Sequence, residues 1–558
     1  MTDASRPRLA VAWAIAVIAA PVVVEAATRL LSAWTGDAHP AAPLALAAIV
    51  PPLLAGAVAV LRGAASPPIA WLLALVAAAV LFALATPIPL ALVAALLAGW
   101  TVSAIPRLAV HAPVPRGRVT ASLWALLAVI TIVQVGRMSV FLADPAATWG
   151  TMAPNDPFMT RHSCLSSYVH GVELARRGDR NIYDDRYGSD EDANPGELAP
   201  IIDTGPLTMD TYEYPPQFLL LPGAITALTR DFLAIRALWF LLSVAVVAFV
   251  GVALARWLGD DAERRARLLV LVVAVSPPLL VTAYFGNFQL MAMALSALSM
   301  VWICRGHTRR GAALLGFVIG AKIFPGILGI WLLATRRFAA AAWTAAFSGL
   351  YILVTLAWLG TRPFTDFFTH HLPRLASGET FAFLSTPRAS MSNLGVFGVP
   401  FKLRVAGLDI SESAAWTLAR QLSWGYTLAL AALAAWAGWR ARAADSADDR
   451  ARLAGAWFGL LALAALRSPF APPEAYIPLV WALALRAAAA PRRRDVALAV
   501  VLWIAICIVI PVPTPGAAVV GLLLQAVAYA AALALVLAAT RAAKNAGASG
   551  EPGGTLPA

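Results

Sequence analysis

Residues 316–327 read GFVIGAKIFPGI, with Lys322 alone in an otherwise apolar stretch that Arg309 and Arg310 precede and Arg336 and Arg337 follow. An ammonium group at membrane depth costs at least about 2.5 kcal/mol, so such a residue faces a cavity or a partner unless it snorkels to the headgroups. Its chemistry is that of an anion contact or a midplane substrate site. Pro325 forfeits a backbone hydrogen bond close by and favours a break in the helix there. Metal chemistry has little to draw on. Cys164, Cys304 and Cys507 are far apart, and no CxxC or Cys/His cluster exists, so neither a zinc site nor a disulfide framework is indicated. His370 and His371 are adjacent, and neighbours on one helix diverge by roughly 100°, so no metal is expected there either.

The elements that must position Lys322 follow from composition. The chain has 558 residues, 60% of them hydrophobic and 13% charged, with mean hydropathy +0.75. A soluble protein of this size cannot hide so much apolar surface, whereas lipid accepts it. The fold class expected is an all-α polytopic membrane protein of about 14–16 membrane helices, with external loops carrying short helices. The net charge of +12 does not point to nucleic acid once the charges are mapped. Residues 143–213 hold 13 of the 30 acidic residues and only five arginines, while most other arginines sit in short loops between apolar runs. That is the positive-inside pattern of a multi-pass inner (plasma) membrane protein, and the high alanine and arginine content hints at a bacterial source. It sets both termini in the cytoplasm and the long loops on the external, periplasmic side.

Four apolar runs near 9–31, 43–61, 68–86 and 88–104 form an N-terminal four-helix membrane module over residues 1–118, the first read as an uncleaved helix. A core over 119–421 carries external loops 143–213 and 360–421. Spans are expected at 119–142, 232–255, 267–284, 289–304 and 339–359, with a short external helix in YEYPPQFLLLPGAITALT. Residues 311–321 and 323–335 lie between two cytoplasmic basic clusters, which one full span would separate. Two half-length helices turning at Lys322–Pro325 satisfy the charges. C-terminal spans near 422–441, 453–466, 475–488, 496–512 and 515–540 complete the membrane part, and 541–558 is a polar, disordered cytoplasmic tail.

The order of these elements resembles glycosyltransferase family 87, within the C-type glycosyltransferase superfamily. The matching pieces are YVHGVELARRGDRNIYD (168–184), YEYPPQFLL (212–220), GNFQLMAMALSAL (286–298), the basic-flanked hairpin 309–338, SMSNLGVFG (390–398) and LRSPFAPPEAY (466–476). They cover about residues 119–540. The resemblance implies hexose transfer, mannose being the expected sugar, from a polyprenyl-phosphate donor to an envelope glycolipid or glycan at the external face. No cofactor, metal or nucleotide sugar is needed, and the partners are membrane lipid, the lipid-linked sugar and the acceptor. The family's external carboxylate acts as general base, and cations stabilise the departing phosphate.

At one position the sequence departs from that pattern. The family places an Asp four residues before the tyrosine matched by Tyr168, and here that residue is Cys164. The expected base is therefore Asp156, which precedes the motif in the same loop, then Asp144, with His162 as a substitute. Lys322 is expected to contact the donor phosphate, helped by Arg161 or Arg388, and Tyr214 to shape the lipid groove beside Pro215 and Pro216. Tyr168, Asn287, Gln289, Asn393 and Glu474 are candidates for sugar or acceptor contacts, although Asn287 at a helix start also suits N-capping. Two other readings compete with the enzyme. A transporter or lipid flippase would use Lys322 in its broken hairpin as a midplane site, and a retired scaffold would explain Cys164. The long external loops and the lack of an internal repeat favour the enzyme.

Overall fold

A computed structural model describes residues 118–548, apart from positions 155, 179, 188–199, 260–265, 267, 268, 270, 271, 444–448, 491 and 509–511. The expected N-terminal module, the acidic run 189–197 and the end of the tail lie outside the described residues. Among the described residues there is no strand, and the protein is an all-α membrane protein. The chain forms two compact units. The first takes its described residues up to Val252 with Val270–Met291 and Thr355–Phe368; the second takes Ala253–Leu269, Ala292–Val354 and Thr369 onward.

In the first unit, α1 (Arg118–Ala143) delivers the chain to a loop holding α2 (Pro157–Arg161) and α3 (Cys164–Arg177). The Tyr-Pro-Pro segment becomes one 3-10 turn, Pro216–Leu219, followed by α4 (Leu220–Thr226). Seven helical residues rise only about 10 Å, far short of a bilayer, which agrees with a short helix that does not span. Next, α5 (Phe232–Leu258) is one of three described helices long and apolar enough to span, with Phe338–Leu359 and Pro515–Thr540.

The run read as an outward span over 267–284 lies partly outside the described residues; residues 269 and 272–274 are helical, and a break at Ser276 precedes the next helix. That helix, α6 (Pro277–Phe285), has nine residues and meets α7 (Gln289–Cys304) at 113°. Together the two have the apolar length of a single broken or re-entrant span. Gly286 makes the bend: its φ is +70°, and a Cβ there would lie 3.2 Å from that of Leu165.

In the second unit the helix breaks at Lys322, as the charge pattern requires. Helix α8 (Thr308–Ala321) stops there because Lys322 turns extended, and a 3-10 turn at Phe324–Gly326 leads into α9 (Ile327–Ala334). Both halves are too short to cross hydrocarbon alone. Glycine lets α8 pack against α10 (Phe338–Leu359): a Cβ on Gly316 would lie 2.9 Å from the Thr344 carbonyl oxygen and 3.0 Å from Ser348 N. Arg309 at the start of α8 stacks on Trp343 at 4.8 Å.

The segment 360–421 carries several short helices around a small apolar core of Phe381, Leu384, Phe397, Phe401, Ala415 and Ala419. Then α11 (Glu412–Arg440) begins about ten residues before its apolar run, because ESAAWTLARQ is a good helix former even where it is polar. The remaining elements are α12 (Arg450–Ala465), α13 (Ile477–Ala489), α14 (Arg493–Cys507) and α15 (Pro515–Ala548). The last continues past residue 540 through the alanine-rich RAAKNAGA. Gly316→Val is expected to destabilise the protein by about 1–3 kcal/mol, since backbone atoms cannot move aside for a branched side chain. A lowered thermal midpoint in detergent checks it.

Candidate functional site

The polar residues of the first unit are gathered by two short chain segments. Asp156 caps α2, its Oδ1 accepting from Phe158 N at 3.0 Å, and Pro157 suits the first helical position. His162 closes that helix with its N–H on the Phe158 carbonyl, and Ser163 turns extended so that α3 starts at Cys164. The second segment, 208–214, is fastened alongside. Thr208 donates its N–H at 2.9 Å and its hydroxyl at 3.2 Å to the Arg161 carbonyl. Asp210 N donates to Ser166 Oγ at 3.0 Å, while that hydroxyl donates to the Ser163 carbonyl at 2.7 Å.

These bonds set Asp210 Oδ1 3.4 Å from His162 Nδ1. On the other side of the ring, Nε2 lies 3.4 Å from Cys164 Sγ. Phe158 stacks on the imidazole with centroids 4.5 Å apart, and Phe285 packs edge-on at 4.6 Å. Burial disfavours a charged imidazole here, but the Asp210 carboxylate and the Cys164 sulfur outweigh it and hold the His162 pKa well above its usual 6.5. Contrary to the expectation of no Cys/His cluster, His162 and Cys164 form one that Asp210 completes from a distant part of the loop: the three donor atoms lie within 4.8 Å of one another, a size that could hold an ion. The ring also turns different nitrogens to its two neighbours, Nδ1 to Asp210 and Nε2 to Cys164, which is the geometry of a proton relay.

A second layer adjoins the first. Tyr168, one helical turn beyond Cys164, is fully buried; its hydroxyl donates to that of Tyr214 at 2.8 Å and accepts from Phe288 N at 3.1 Å. Tyr214 in turn donates to Asn287 Oδ1 at 3.3 Å. Asn287 does what its place at a helix start suggested, accepting from Gln289 N at 2.9 Å, and its Nδ2 reaches Cys164 Sγ at 3.5 Å. Burial pushes both tyrosines well above their usual range, so they stay neutral donors. Tyr183 fixes the Tyr-Pro-Pro segment by donating to the Tyr214 carbonyl at 2.9 Å.

Of the residues expected from sequence, the structure brings together His162, Tyr168, Tyr214 and Asn287, with buried Gln289 next in the chain. Arg161 is exposed beside His162. Asp156 and Asp144 each hold a local backbone amide, Asp144 Oδ1 accepting from Ala146 N at 3.0 Å. Lys322, Arg388, Asn393 and Glu474 belong to the second unit. Lys322 is partly buried, Arg388 exposed and Glu474 buried.

Asn393 is fully buried and its amide is committed to backbone. Nδ2 donates to the Pro469 carbonyl at 2.7 Å, and Oδ1 accepts from Gly395 N at 2.9 Å and Ala471 N at 3.1 Å. It clamps the SNLGVFG turn to the RSPFAPPEAY loop. Close by, Lys402 is buried with its ammonium donating to Gln525 Oε1 at 2.9 Å, and burial lowers its pKa to about 8. The residue sequence reasoning passed over is Asp210. Its one signal was its place in the acidic loop, just ahead of YEYPP.

Comparison with known families decides the class. Residues 212–469 match the model of Glycosyltransferase family 87. That segment belongs to glycosyltransferase family 87. The match takes in Tyr214, Asn287, Gln289, Lys322, Arg388 and Asn393, and is narrower than the 119–540 expected. His162, Cys164, Asp210 and Glu474 fall outside it. No curated protein and no solved structure matches the chain. The protein is thus a membrane glycosyltransferase whose family segment is joined to a Cys–His–Asp cluster built by the chain ahead of it.

Asn393→Ala is expected to lower stability by about 2–4 kcal/mol, because two amides and a carbonyl lose their partner in a buried site. Denaturation in detergent reads this directly. A folded variant of unchanged stability with a raised KM would instead mark Asn393 as a substrate contact.

Proposed function

We propose that this glycosyltransferase moves a hexose, mannose by family analogy, from a polyprenyl-phosphate donor to an envelope glycolipid or glycan at the external membrane face, with His162 as the final proton acceptor. The observation that carries the reading is the 3.4 Å contact between His162 Nδ1 and Asp210 Oδ1, in the loop that precedes the family segment. A carboxylate on Nδ1 keeps that nitrogen protonated, leaves the lone pair on Nε2, which faces Cys164, and stabilises the imidazolium that forms. Such a base does the work expected of the carboxylate missing at position 164. Asp156 supports it indirectly by capping the helix that ends at His162.

The polyprenyl-phosphate donor suits the chemistry. A lipid phosphate is an activated leaving group, so transfer needs mainly a base for the acceptor hydroxyl and positive charge for the departing phosphate. The phosphate-contact role proposed for Lys322 rests on its own setting, a partly buried cation at a helix break. The transporter reading has no comparable support beside a glycosyltransferase family match.

The test is transfer of radiolabelled mannose from polyprenyl-phosphate mannose to a membrane lipid extract by the purified protein. Label should appear in a glycolipid or glycan product. No donor turnover across several sugars and acceptors would count against the reading. The pH dependence has a definite sign. The working base is neutral imidazole, and Asp210 favours the charged form, so transfer should rise with pH through a midpoint above 6.5. Asp210→Asn should move that midpoint to lower pH and cut the plateau rate by about tenfold or more. A midpoint unmoved by the substitution would remove Asp210 from the mechanism.

A further inference from the structure

The role given to His162 leaves Cys164 unexplained, yet the thiol is where the cluster ends. Both nitrogens of the His162 ring are taken, Nδ1 by Asp210 and Nε2 by Cys164, while Phe158 covers one face. A hydroxyl from outside therefore meets sulfur before it meets Nε2. With Nδ1 protonated toward Asp210, the Nε2 lone pair is aimed at the thiol, which becomes the donor. Three features from different elements favour negative charge on that sulfur. Its proton has an acceptor in His162, Asn287 Nδ2 donates to Sγ at 3.5 Å, and Cys164 is the first residue of the 14-residue helix α3. The side chain is partly open to solvent, unlike that of Tyr168 beneath it.

We propose that Asp210, His162 and Cys164 form a proton relay whose reactive outer end is the Cys164 sulfur, which takes the acceptor hydroxyl's proton while handing its own to His162. This rests on the sugar-transfer reading. In the step, the acceptor O–H bond breaks and sulfur gains that proton. The proton formerly on sulfur moves to Nε2, giving an imidazolium held by Asp210. The acceptor oxygen bonds to the anomeric carbon, and the bond from that carbon to the phosphate oxygen breaks, its electron pair leaving with the polyprenyl phosphate. The thiol is thereby also a site for covalent modification by soft electrophiles.

Two measurements test this, and only one requires sugar transfer. In a Cys304→Ser, Cys507→Ser background, iodoacetamide labelling of Cys164 is followed by mass spectrometry. Adding His162→Gln or Asp210→Asn should slow labelling by about tenfold or more, because the sulfur loses its proton acceptor or that acceptor's support. Equal rates in all three proteins would overturn the relay whatever the enzyme's substrate. In the transfer assay, Cys164→Ala should lower kcat by about 100-fold. Cys164→Asp supplies its own anionic acceptor, so it should retain transfer and lose its sensitivity to His162→Gln. An undiminished kcat in Cys164→Ala would overturn the relay. If the unsubstituted protein turns over no donor, the transfer reading fails, and labelling still judges the relay.

Discussion

Thr208 gives both its N–H and its hydroxyl to the carbonyl of Arg161, and the site depends on that pairing. It lays residues 208–214 against the turn between α2 and α3, so that Asp210 meets His162 from one side as Cys164 meets it from the other. The Asp210 contact is not dictated by the neighbouring sequence of the histidine, whereas Cys164 stands only two residues along the chain. Ser166 holds the register by accepting from Asp210 N while itself bound to the Ser163 carbonyl. A slip of one residue would replace the carboxylate with Met209 or Thr211, and the imidazole would lose the charge that fixes its proton.

The same segment runs on into the family portion of the chain. Tyr212 donates to the Pro215 carbonyl and Tyr183 to that of Tyr214, which hold the Tyr-Pro-Pro turn rigid. Tyr214 then reaches Asn287, whose position depends on the left-handed Gly286 and the 113° bend it allows. A residue that caps a membrane helix thus also donates to the cluster's sulfur. Bond by bond, the loop chemistry is joined to the bend at Gly286–Asn287 within the first unit. Buried tyrosines suit this use, since desolvation keeps them neutral and their hydroxyls both donate and accept.

Much of this architecture was legible in the chain, and the physical reason is the cost of misplacing charge in a membrane. Two basic clusters around a short apolar stretch, with Pro325 inside it, left a broken helix at Lys322 as the simple solution, and α8 does end there. Apolar length located α5 and α10 to within a few residues. Boundaries failed where polarity and helix propensity part company: α11 starts early in ESAAWTLARQ, and α15 carries on through RAAKNAGA. The bend at Gly286 was read only as a turn, because glycine marks conformational freedom and does not give an angle. The pairing of His162 with Asp210 was not legible, although Asp210 lies in the acidic loop ahead of YEYPP. No periodicity links 162 to 210, and the Thr208 and Ser166 bonds that bring the two segments together join residues more than forty positions apart. Asn393 shows the converse, a motif residue whose amide is taken up by three backbone groups.

The central claim is that a neutral imidazole, held by a carboxylate and facing a thiol, drives sugar transfer in the place of the family's carboxylate. The most direct measurement is steady-state transfer from polyprenyl-phosphate mannose by His162→Gln beside the unsubstituted protein. The account predicts a kcat lower by about 10²–10⁴-fold with little change in the KM for donor, since the ring acts on the acceptor's proton and not on the lipid phosphate. A His162→Gln protein that transfers at the unsubstituted rate would contradict it.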